Sequence, residues 1–396
     1  MTAMTPDIQT IEQADSSIHV VWADGHRSQY HHIWLRHQCE CRECGTPMDG
    51  LRNAWILDIP EKPEIEELTS GPDGVRITWA DNHHQSVYSP QWLRRHCYDP
   101  QSRAARRHRV TNWDTRIQDH IPAFEFPEAR RSAEIHLKVL ETVRDYGFCL
   151  LETLDTRLQG IRDAAHLFGP VRITHFGISE ITEKSAQYNV GDSGRALLPH
   201  MDETYRISSV GITVLQMVTS SESGGHSTLV DGFNAVRRLR ETSPDAFDLL
   251  STVPVTFRRR HTGKTLDGKP RLLVSRTPLI KLDENNEVVG VRINERHIAP
   301  LDVEGHLVEP FYRAIRDLLQ ITYDPGLRIE IPLKSGQGLV FDNQRVLHGR
   351  TAFVRGKKPR HARTCTVNTE EFHSTLRLRQ LEFDLPESDQ VLYQGM

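Results

Sequence analysis

The sequence predicts a mainly β protein of the α+β class, in which a large sandwich or jelly-roll domain follows a small β-rich domain. From Val210 onward, short runs of apolar and β-branched residues dominate, and two helical stretches, near 234–240 and 308–319, interrupt them. Many short strands with few helices are typical of sandwiches and jelly rolls. No Gly-rich phosphate loop stands between a strand pattern and a helix pattern, which argues against a parallel nucleotide-binding sheet. Residues 1–100 contain two related hairpin patterns.

The length of 396 residues accommodates one large domain and a smaller one. We expect an N-terminal domain at 1–100, a charged, proline-containing connector at 101–130 and the main domain at 131–396. The net charge of −4 gives no general reason to expect nucleic acid or an anionic membrane as a partner. The chain has no apolar run long enough to span a bilayer, and its first residues do not resemble a signal peptide. The expected location is therefore the cytoplasm.

The N-terminal hairpin patterns resemble each other over about twenty residues. The first reads VVWADGH at 20–26 and continues to WLRH at 34–37, whereas the second reads ITWADNH at 77–83 and continues to WLRR at 92–95. Each begins with alternating apolar and polar residues and turns at Asp-Gly or Asp-Asn. The sequence therefore predicts two related hairpins.

Three cysteines follow the first hairpin pattern within six residues: Cys39, Cys41 and Cys44. Thiolates at this spacing suit a structural zinc ion, which takes four ligands in a closed tetrahedral site. The sequence offers three candidates for the fourth ligand: His83, His96 and Cys97. The alternatives are three unliganded thiols in a reducing compartment, or a redox sensor.

The main domain is predicted to begin with a helix over 133–146, because apolar residues recur every fourth position from Ile135. Gly147 can end this helix in a left-handed conformation, and the apolar run at 148–151 reads as a buried strand. Further strand patterns are found later in the chain, at 210–218, 227–230, 272–274, 288–293 and 338–341.

His200 and Asp202 form the first part of a candidate metal site. In an extended chain, side chains two residues apart project from the same face, so both can reach one ion. A second histidine would complete a face of two histidines and one carboxylate, which leaves positions open and is the pattern of non-haem iron(II) oxygenases. His348, which follows a predicted strand, is the candidate. Because the chain has 21 histidines, a chance His-x-Asp pair is the alternative.

Arg360 follows His348 by twelve residues, and Arg363 lies close by. An arginine can hold a carboxylate with two parallel hydrogen bonds, which a lysine cannot. If His348 holds a metal, an arginine on the next strand can bind the distal carboxylate of a keto acid chelated to that metal. The alternative is that 355–363 is a solvated basic loop.

A series of segments carries a family resemblance in a consistent order: FGPV at 168–171, PHMDETY at 199–205, GGHSTLVDGF at 224–233, VRIN at 291–294 and NQRVLHGRTAF at 343–353. From about 130 to 385 the chain resembles the γ-butyrobetaine hydroxylase and trimethyllysine hydroxylase group of 2-oxoglutarate oxygenases, within the taurine-dioxygenase superfamily. The resemblance implies a double-stranded β-helix (jelly-roll) fold and iron(II) ligands at His200, Asp202 and His348. It also implies a salt bridge from Arg360 to 2-oxoglutarate, with the Ser227 hydroxyl near this co-substrate.

The activity implied by the resemblance is hydroxylation of an aliphatic C–H bond in a small zwitterionic amine or quaternary-ammonium compound. The substrate would be γ-butyrobetaine-like, trimethyllysine-like or aminophosphonate-like. O2 would be the second co-substrate, ascorbate the reductant, and succinate and CO2 the products. A homodimer is also implied. The first domain resembles the N-terminal zinc domain that accompanies γ-butyrobetaine hydroxylase, and this match points to His83 as the fourth ligand of a structural zinc(II).

The resemblance also implies a substrate pocket with an altered aromatic cage, lined by Phe176, Glu180, Tyr188, Glu203, Tyr205, Arg292 and Asn294. Aromatic cages hold trimethylammonium groups by cation–π attraction. The two glutamates stand where aromatic residues are expected, and they suit a free or differently placed amine. Arg292 and Asn294 suit an anionic end, either carboxylate or phosphonate. The alternative is that both glutamates are exposed to solvent.

A second class of function is a zinc-finger-like module that binds nucleic acid or protein, attached to a non-catalytic jelly roll. The arginines of 103–109 favour this alternative. The acidic net charge and the absence of recognition-helix spacing after the cysteines argue against it.

Overall fold

The computed structural model describes residues 6–45, 51–71, 73–174, 176–182, 194–262, 268–354, 359–383 and 385. The chain divides into two compact units, Met1–His108 and Arg109–Met396. Among the described residues, no helix combines the length and the apolar character needed to cross a bilayer.

The first unit consists of two three-stranded antiparallel sheets, each followed by a short helix. The first sheet has the order β1-β2-β3 and precedes α1: β1 (Ile8–Gln13), β2 (Ser17–Trp22), β3 (Arg27–His31), α1 (His32–His37). The second has the order β4-β5-β6 and precedes two helices: β4 (Ile65–Gly71), β5 (Gly74–Trp79), β6 (Gln85–Tyr88), α2 (Pro90–Arg95), α3 (Pro100–Ala105). The two predicted hairpins are confirmed as β2-β3 and β5-β6.

Matching tryptophans anchor these two sheets in one core. Trp22 and Trp79 are fully buried. Their indole N–H groups donate to Ser28 Oγ at 2.8 Å and to Ser86 Oγ at 2.9 Å, respectively. Because a buried indole N–H needs an acceptor, the serines allow the tryptophans to be buried at both places.

The second unit contains fourteen strands among its described residues: β7 (Ala123–Glu125), β8 (Phe148–Glu152), β9 (Ser179–Thr182), β10 (Leu197–His200), β11 (Ile212–Thr219), β12 (Ser227–Asp231), β13 (Val255–His261), β14 (Arg271–Thr277), β15 (Ile280–Leu282), β16 (Val288–Val291), β17 (Arg328–Ile331), β18 (Gly338–Asp342), β19 (Val346–Arg350) and β20 (His361–Val367). They form a six-stranded sheet, β7-β8-β18-β11-β20-β9, a four-stranded sheet, β10-β19-β12-β17, and the pairs β13-β14 and β15-β16. All pairs are antiparallel except β7 with β8.

Seven helices accompany these strands within the described ranges: α4 (Phe126–Arg131), α5 (Ala133–Tyr146), α6 (Leu158–Ala165), α7 (Gly232–Thr242), α8 (Pro244–Thr252), α9 (Gly305–Thr322) and α10 (Thr369–Glu382). The predicted helix over 133–146 is confirmed as α5. The helices expected near 234–240 and 308–319 are α7 and α9, each longer than its pattern indicates. The fold is therefore a mixed α and β structure with more helix than the sequence predicts. Residues 101–130, the expected connector, include most of α3, all of β7 and all but the last residue of α4.

The six-stranded sheet packs on helices with one face and on the four-stranded sheet with the other. Val340 of β18 belongs to the core formed with α5, α6 and α10. Its neighbours Leu339 and Phe341 belong to a different core, which they share with Leu229 of β12 and Ile329 of β17. Alternation along β18 thus sends consecutive side chains to opposite faces. The space between the two sheets is where the candidate site lies.

Candidate active site

Three potential metal ligands converge between the two sheets of the second unit. β10 pairs with β19 so that His200 and His348 are register partners, and their ring centroids lie 4.6 Å apart. Asp202 Oδ1 is 3.4 Å from His200 Nε2, and Asp202 Oδ2 is 3.4 Å from His348 Nε2. One atom of each residue falls within 4.8 Å of the others. The structure therefore brings together the three residues that the sequence singles out.

The histidine rings are held by backbone and aromatic contacts. His200 Nδ1 lies 2.8 Å from the Leu198 carbonyl oxygen. Because a carbonyl only accepts hydrogen bonds, Nδ1 is the donor in this contact, and Nε2 is the ring nitrogen that faces Asp202. The His348 ring packs against Phe341, with 4.7 Å between ring centroids. In metal sites, the ring of a histidine ligand is commonly oriented by such a contact on the side away from the metal.

Asn343 fixes the backbone that carries Asp202. The Asp202 N–H donates to Asn343 Oδ1 at 3.0 Å, and Asn343 Nδ2 donates to the Asp202 carbonyl at 3.2 Å. Asn294 Nδ2 donates to the Met201 carbonyl at 3.0 Å. Sequence reasoning missed Asn343, although it begins the NQRVLHGR segment that carries the resemblance. The three consecutive residues of the His-x-Asp segment are thus held from both sides.

The protonation states favour metal binding. Burial raises the pKa of the Asp202 carboxyl, but His348 and His200 outweigh this effect and hold the pKa well below its usual range. Burial lowers the pKa of His348 despite the neighbouring carboxylate. The carboxylate lies within the protein, yet 49% of its side chain is accessible to solvent, so it lines an opening. A carboxylate and a neutral imidazole are the forms that bind metals.

The predicted co-substrate residues lie in different sheets: Ser227 is on β12 of the four-stranded sheet, and Arg360 precedes β20 of the six-stranded sheet. Ser227 of β12 is register partner of Arg350 on β19, and Leu229 is partner of His348. Directly opposed side chains of an antiparallel pair share a face, so Ser227 shares a face with His348. Arg360, which directly precedes β20, is 5% exposed. Its guanidinium carbon lies 5.9 Å from the centroid of the Phe353 ring.

An aromatic cluster lies beside the His-x-Asp segment. Tyr205 is 1% exposed, and its ring meets His261 at 5.7 Å and His297 at 4.9 Å between centroids. The Phe176 ring meets His261 edge-on at 4.9 Å. The Arg259 guanidinium lies 5.7 Å from the Tyr205 ring. Phe176 and Tyr205 are thus joined through His261, whereas Tyr188 lies outside the described residues.

Both predicted pocket glutamates already have cationic partners. Glu180 of β9 is register partner of Arg363 on β20, and Arg363 Nε donates to Glu180 Oε1 at 2.8 Å. Glu203 Oε2 accepts from Arg206 Nε at 2.5 Å. Both carboxylates therefore have a cationic partner within the protein. The Glu203 side chain is 15% exposed and the Glu180 side chain is 44% exposed, so the solvent-exposed alternative describes Glu180 but not Glu203.

Arg292 and Asn294, which are expected to meet an anionic substrate group, both contact the protein. The Arg292 guanidinium donates to three carbonyl oxygens and two serine hydroxyls, namely those of Thr204, Arg206, Ile207, Ser209 and Ser275. Four of these contacts hold the loop that follows Asp202, and the fifth is with Ser275 of β14. Asn294 is buried, and its Nδ2 donates to the Met201 carbonyl.

The cysteine cluster of the first unit is completed by His84. Its Nε2 atom lies 3.3 Å from Cys39 Sγ, 3.6 Å from Cys41 Sγ and 3.5 Å from Cys44 Sγ. The expected ligand, His83, points away: its side chain is 78% exposed and its Nδ1 lies 2.6 Å from a carboxylate oxygen of Glu66.

Turn geometry explains the correction from His83 to His84. Asn82 and His83 have φ values of 58° and 52°, so both occupy the left-handed corner of a tight hairpin turn. His84 directly precedes β6, and the burial pattern of β6 puts Ser86 and Tyr88 inside. Residues two apart in a strand share a face, so His84 faces inward with them. Alternation counted back from Tyr88 would have identified His84 in the sequence.

Comparison with known proteins gives the family. Residues 110–366 match the family described as taurine catabolism dioxygenase TauD, TfdA family, and residues 9–94 match the one described as gamma-butyrobetaine hydroxylase-like, N-terminal. Gamma-butyrobetaine dioxygenase of Pseudomonas sp. (strain AK-1) is 31% identical over 371 residues, which cover 92% of this chain and 94% of the relative. Trimethyllysine dioxygenase of Meyerozyma guilliermondii is 27% identical, over 96% of this chain and 97% of the relative.

Two further matches are a sequence relative and a solved structure. Human gamma-butyrobetaine dioxygenase is 26% identical, over 95% of this chain and 98% of the relative. A solved structure of asparagine oxygenase in complex with Fe(II) aligns with a TM-score of 0.48 and 15% identity, over 62% of this chain and 83% of that chain. The family match covers more than half of the chain, and the Pseudomonas relative matches nearly all of it. The chain therefore belongs to the TauD, TfdA family, in the group of γ-butyrobetaine and trimethyllysine dioxygenases, and is an iron(II)- and 2-oxoglutarate-dependent dioxygenase.

Proposed function

We propose that this dioxygenase hydroxylates an aliphatic C–H bond of a small zwitterionic or quaternary-ammonium compound, at an iron(II) held by His200, Asp202 and His348. The observation that carries the proposal is the convergence of these three side chains within 4.8 Å. The names of the relatives, γ-butyrobetaine and trimethyllysine dioxygenases, support the substrate class. The facing sheets of the second unit suit a double-stranded β-helix, the jelly roll expected from the sequence.

The donor set fits iron(II). Ligand atoms that lie about 2.1 Å from a shared ion are roughly 3–3.5 Å apart, and both histidine Nε2 atoms are 3.4 Å from an Asp202 oxygen. Two imidazoles and one carboxylate leave open positions for a co-substrate and oxygen. About half of the Asp202 side chain is accessible to solvent, and this accessible side indicates where the open coordination positions lie.

Residues of the chain bind and orient the reactants in this proposal. When bound, iron(II) supplies the redox chemistry by which O2 and 2-oxoglutarate are consumed, with succinate and CO2 as products. Arg360 binds the distal carboxylate of 2-oxoglutarate, and Ser227 lies on the face shared with His348. The packed sheets exclude water and hold one C–H bond in place. Ascorbate serves as the reductant that keeps the iron in its ferrous state.

The aromatic cluster suits the cationic end of the substrate better than the glutamates do. Glu180 and Glu203 are neutralised by Arg363 and Arg206. Aromatic faces attract an ammonium group without needing a counter-ion. We therefore assign Phe176 to this end of the pocket and expect its substitution to change substrate preference.

Succinate formation tests the proposed function. The purified chain is assayed with iron(II), ascorbate and 2-oxoglutarate, across trimethylammonium and amino compounds that end in carboxylate or phosphonate. At least one compound should raise succinate formation well above the uncoupled background. The variant His200→Ala should lose both this activity and anaerobic iron binding, whereas His306→Ala, which alters a histidine that is 70% exposed, should retain both. Iron binding that survives His200→Ala would refute the assigned ligands.

We further propose that Cys39, Cys41, Cys44 and His84 bind a structural zinc ion. Ligand atoms of a tetrahedral zinc site with sulfur at about 2.3 Å and nitrogen at about 2.1 Å are roughly 3.6 Å apart. The three distances from His84 Nε2 to sulfur, between 3.3 and 3.6 Å, match this spacing. The first unit has a small core, which a closed metal site would stabilise.

A further inference from the structure

The first unit contains two copies of one motif with matching strand registers. Ile8 pairs with Trp22 across β1 and β2, and Ile65 pairs with Trp79 across β4 and β5. In both copies the ladder is irregular directly after this isoleucine. The short sequence resemblance between the hairpins therefore extends to a third strand that the sequence patterns did not reveal.

The two copies exchange contacts at equivalent positions. Two reciprocal pairs join a tyrosine to a leucine: Tyr30 with Leu93, and Tyr88 with Leu35. Two others join an arginine to an aspartate: Arg36 with Asp81, and Arg94 with Asp24. In the first two pairs a tyrosine hydroxyl donates to a leucine carbonyl of the other copy. In the last two an arginine meets an aspartate of the other copy's hairpin turn, at 2.8 and 2.9 Å. The unit thus has an approximate internal twofold relation.

The cysteine cluster is likewise formed by residues from both copies. His84 belongs to the second copy and meets the three cysteines of the first. The equivalent of His84 in the first copy is His26, because each precedes the Ser and Tyr of its second hairpin strand at the same spacing. A constant offset in the sequence relates Cys39, Cys41 and Cys44 to Cys97, Asp99 and Ser102. The internal relation therefore defines a second metal position with one cysteine, one aspartate, one serine and one histidine.

The second cluster is assembled in the structure. His26 Nε2 lies 3.8 Å from Cys97 Sγ and 3.5 Å from Ser102 Oγ, but the cluster is contracted around the Asp99 carboxylate. Asp99 Oδ2 lies 3.1 Å from His26 Nε2, 2.7 Å from Cys97 Sγ and 2.6 Å from Ser102 Oγ. These are hydrogen-bond distances, and they are shorter than the roughly 3.6 Å that separates ligands of a tetrahedral zinc ion. One carboxylate oxygen therefore stands close to all three neighbours, in the place that a metal ion would take.

The second cluster is held together by hydrogen bonds to a carboxylate instead of by thiolates around a metal ion. The Cys97 thiol and the Ser102 hydroxyl donate to the carboxylate, whereas a metal site needs deprotonated thiols. Asp99 also caps α3, because its Oδ1 accepts from the Ser102 N–H at 2.9 Å.

We propose that the first unit is an internally duplicated zinc domain whose second metal position, formed by His26, Cys97, Asp99 and Ser102, is closed by the Asp99 carboxylate. The substitutions Asp99→Cys and Ser102→Cys restore three thiolates and one imidazole and open this position to zinc or cobalt(II). The equivalence of the two positions uses the zinc site assigned under the proposed function. The closed state in the natural chain follows from the short distances between the Asp99 carboxylate and its three neighbours.

The test is cobalt(II) binding to the full chain, followed by thiolate-to-cobalt charge-transfer absorbance. This signal reports sulfur-ligated metal only, so the proposed iron position, which contains no sulfur, does not contribute. The variant D99C/S102C should bind one additional equivalent, which doubles the absorbance of the natural chain. Adding His26→Ala to this double variant should remove the additional cobalt(II) absorbance. If the natural chain gives no signal and the variant gains one equivalent, the zinc assignment fails while the second position is supported.

Matched single variants keep the proposal testable if the double variant does not fold. Cys39 and Cys97 are equivalent residues, and both are fully buried. Cys39→Ser should abolish the charge-transfer signal of the natural chain, whereas Cys97→Ser should leave it unchanged. A loss of signal in Cys97→Ser, or a folded D99C/S102C variant that binds no additional cobalt, would overturn the proposal.

Discussion

Single side chains determine how each cluster can bind its ligand. Arg360 is 5% exposed, and its guanidinium carbon lies 5.9 Å from the centroid of the Phe353 ring. Nearby Arg363 forms an ion pair with Glu180 at 2.8 Å. The proposed role of Arg360 is to hold the distal carboxylate of 2-oxoglutarate, which an arginine can bind with two parallel hydrogen bonds.

We predict that Arg360→Met raises the apparent KM for 2-oxoglutarate by roughly 30-fold or more, because the keto acid loses a buried charged partner. Anaerobic iron binding should be kept. Arg363→Met is the matched control and should change this KM by less than about threefold. Initial-rate assays over a range of 2-oxoglutarate concentrations provide the comparison. Equal effects of both substitutions would contradict the assignment of Arg360.

The choice between two adjacent histidines gives a second prediction at this scale. His84→Ala should remove the bound zinc, because a tetrahedral structural site needs its fourth ligand. His83→Ala should leave the zinc content unchanged, since that side chain is 78% exposed and contacts Glu66 rather than the cysteines. Metal analysis of both purified variants decides the matter. Zinc lost from His83→Ala and retained in His84→Ala would show that the hairpin turn has been assigned wrongly.

Asn343 supports a third residue-scale prediction. Its side chain bonds both backbone polar groups of Asp202 and is fully buried. Residues that orient metal ligands typically contribute about 10–100-fold to metal affinity, so Asn343→Ala should weaken anaerobic iron binding by that factor. Gln344→Ala is the control, because Gln344 Nε2 bonds to Thr369 instead. Unchanged affinity in Asn343→Ala would mean that the segment is held well enough by its other contacts.

At the scale of elements, the turn from α5 into β8 connects a helix to the sheet behind the candidate site. Gly147 ends α5 with φ at 79°, and a Cβ placed there would lie 2.8 Å from Val346 Cγ2 and 3.0 Å from Arg345 Cδ. The Gly147 carbonyl also accepts from the Asp342 N–H at 2.8 Å. This glycine therefore supports the strand that leads to Asn343.

Gly147→Ala should lower the free energy of unfolding by about 2–4 kcal/mol, from the left-handed conformation and from overpacking against β19. Gly305 at the start of α9 is the matched control, because nothing lies within 4 Å of a Cβ placed there. Gly305→Ala should be neutral or stabilising by up to about 1 kcal/mol. Urea denaturation of the two variants measures the difference, and equal stabilities would refute the account of this turn.

Elements with a strong local pattern could be predicted from the sequence, and those that depend on packing could not. α5 has a regular apolar stripe and a terminal glycine, so its range follows from periodicity. α10 has a weak stripe, and its burial rests on Phe372 and Leu376 packing in a core shared with α5. The His-x-Asp pair could be read from spacing, whereas the ion pair of Glu180 with Arg363 required knowledge of the β9–β20 register.

At the scale of the second unit, one buried ion pair links segments that are far apart in the sequence. Arg345 Nε and Nη2 each lie 3.1 Å from a carboxylate oxygen of Asp231, and both side chains are at most 2% exposed. Arg345 also donates to the carbonyl oxygens of Thr111 and Asp145, at 2.6 and 2.7 Å. Asp231 accepts from the Trp113 N–H at 3.0 Å. The pair therefore joins the beginning of the unit, the end of α5, β12 and the β18–β19 connection.

We predict that Arg345→Met lowers the free energy of unfolding by about 3–5 kcal/mol, because it leaves the Asp231 carboxylate buried without its counter-ion. The double variant D231N/R345M should be less destabilised than Arg345→Met alone, since no buried charge then remains. Arg116→Met, which breaks a surface pair whose arginine is 90% exposed, should have no measurable effect. Urea denaturation of the three variants tests this order. If D231N/R345M were the least stable, the pair would act mainly through the hydrogen bonds of Asp231 to the backbone, and the charge argument would be wrong.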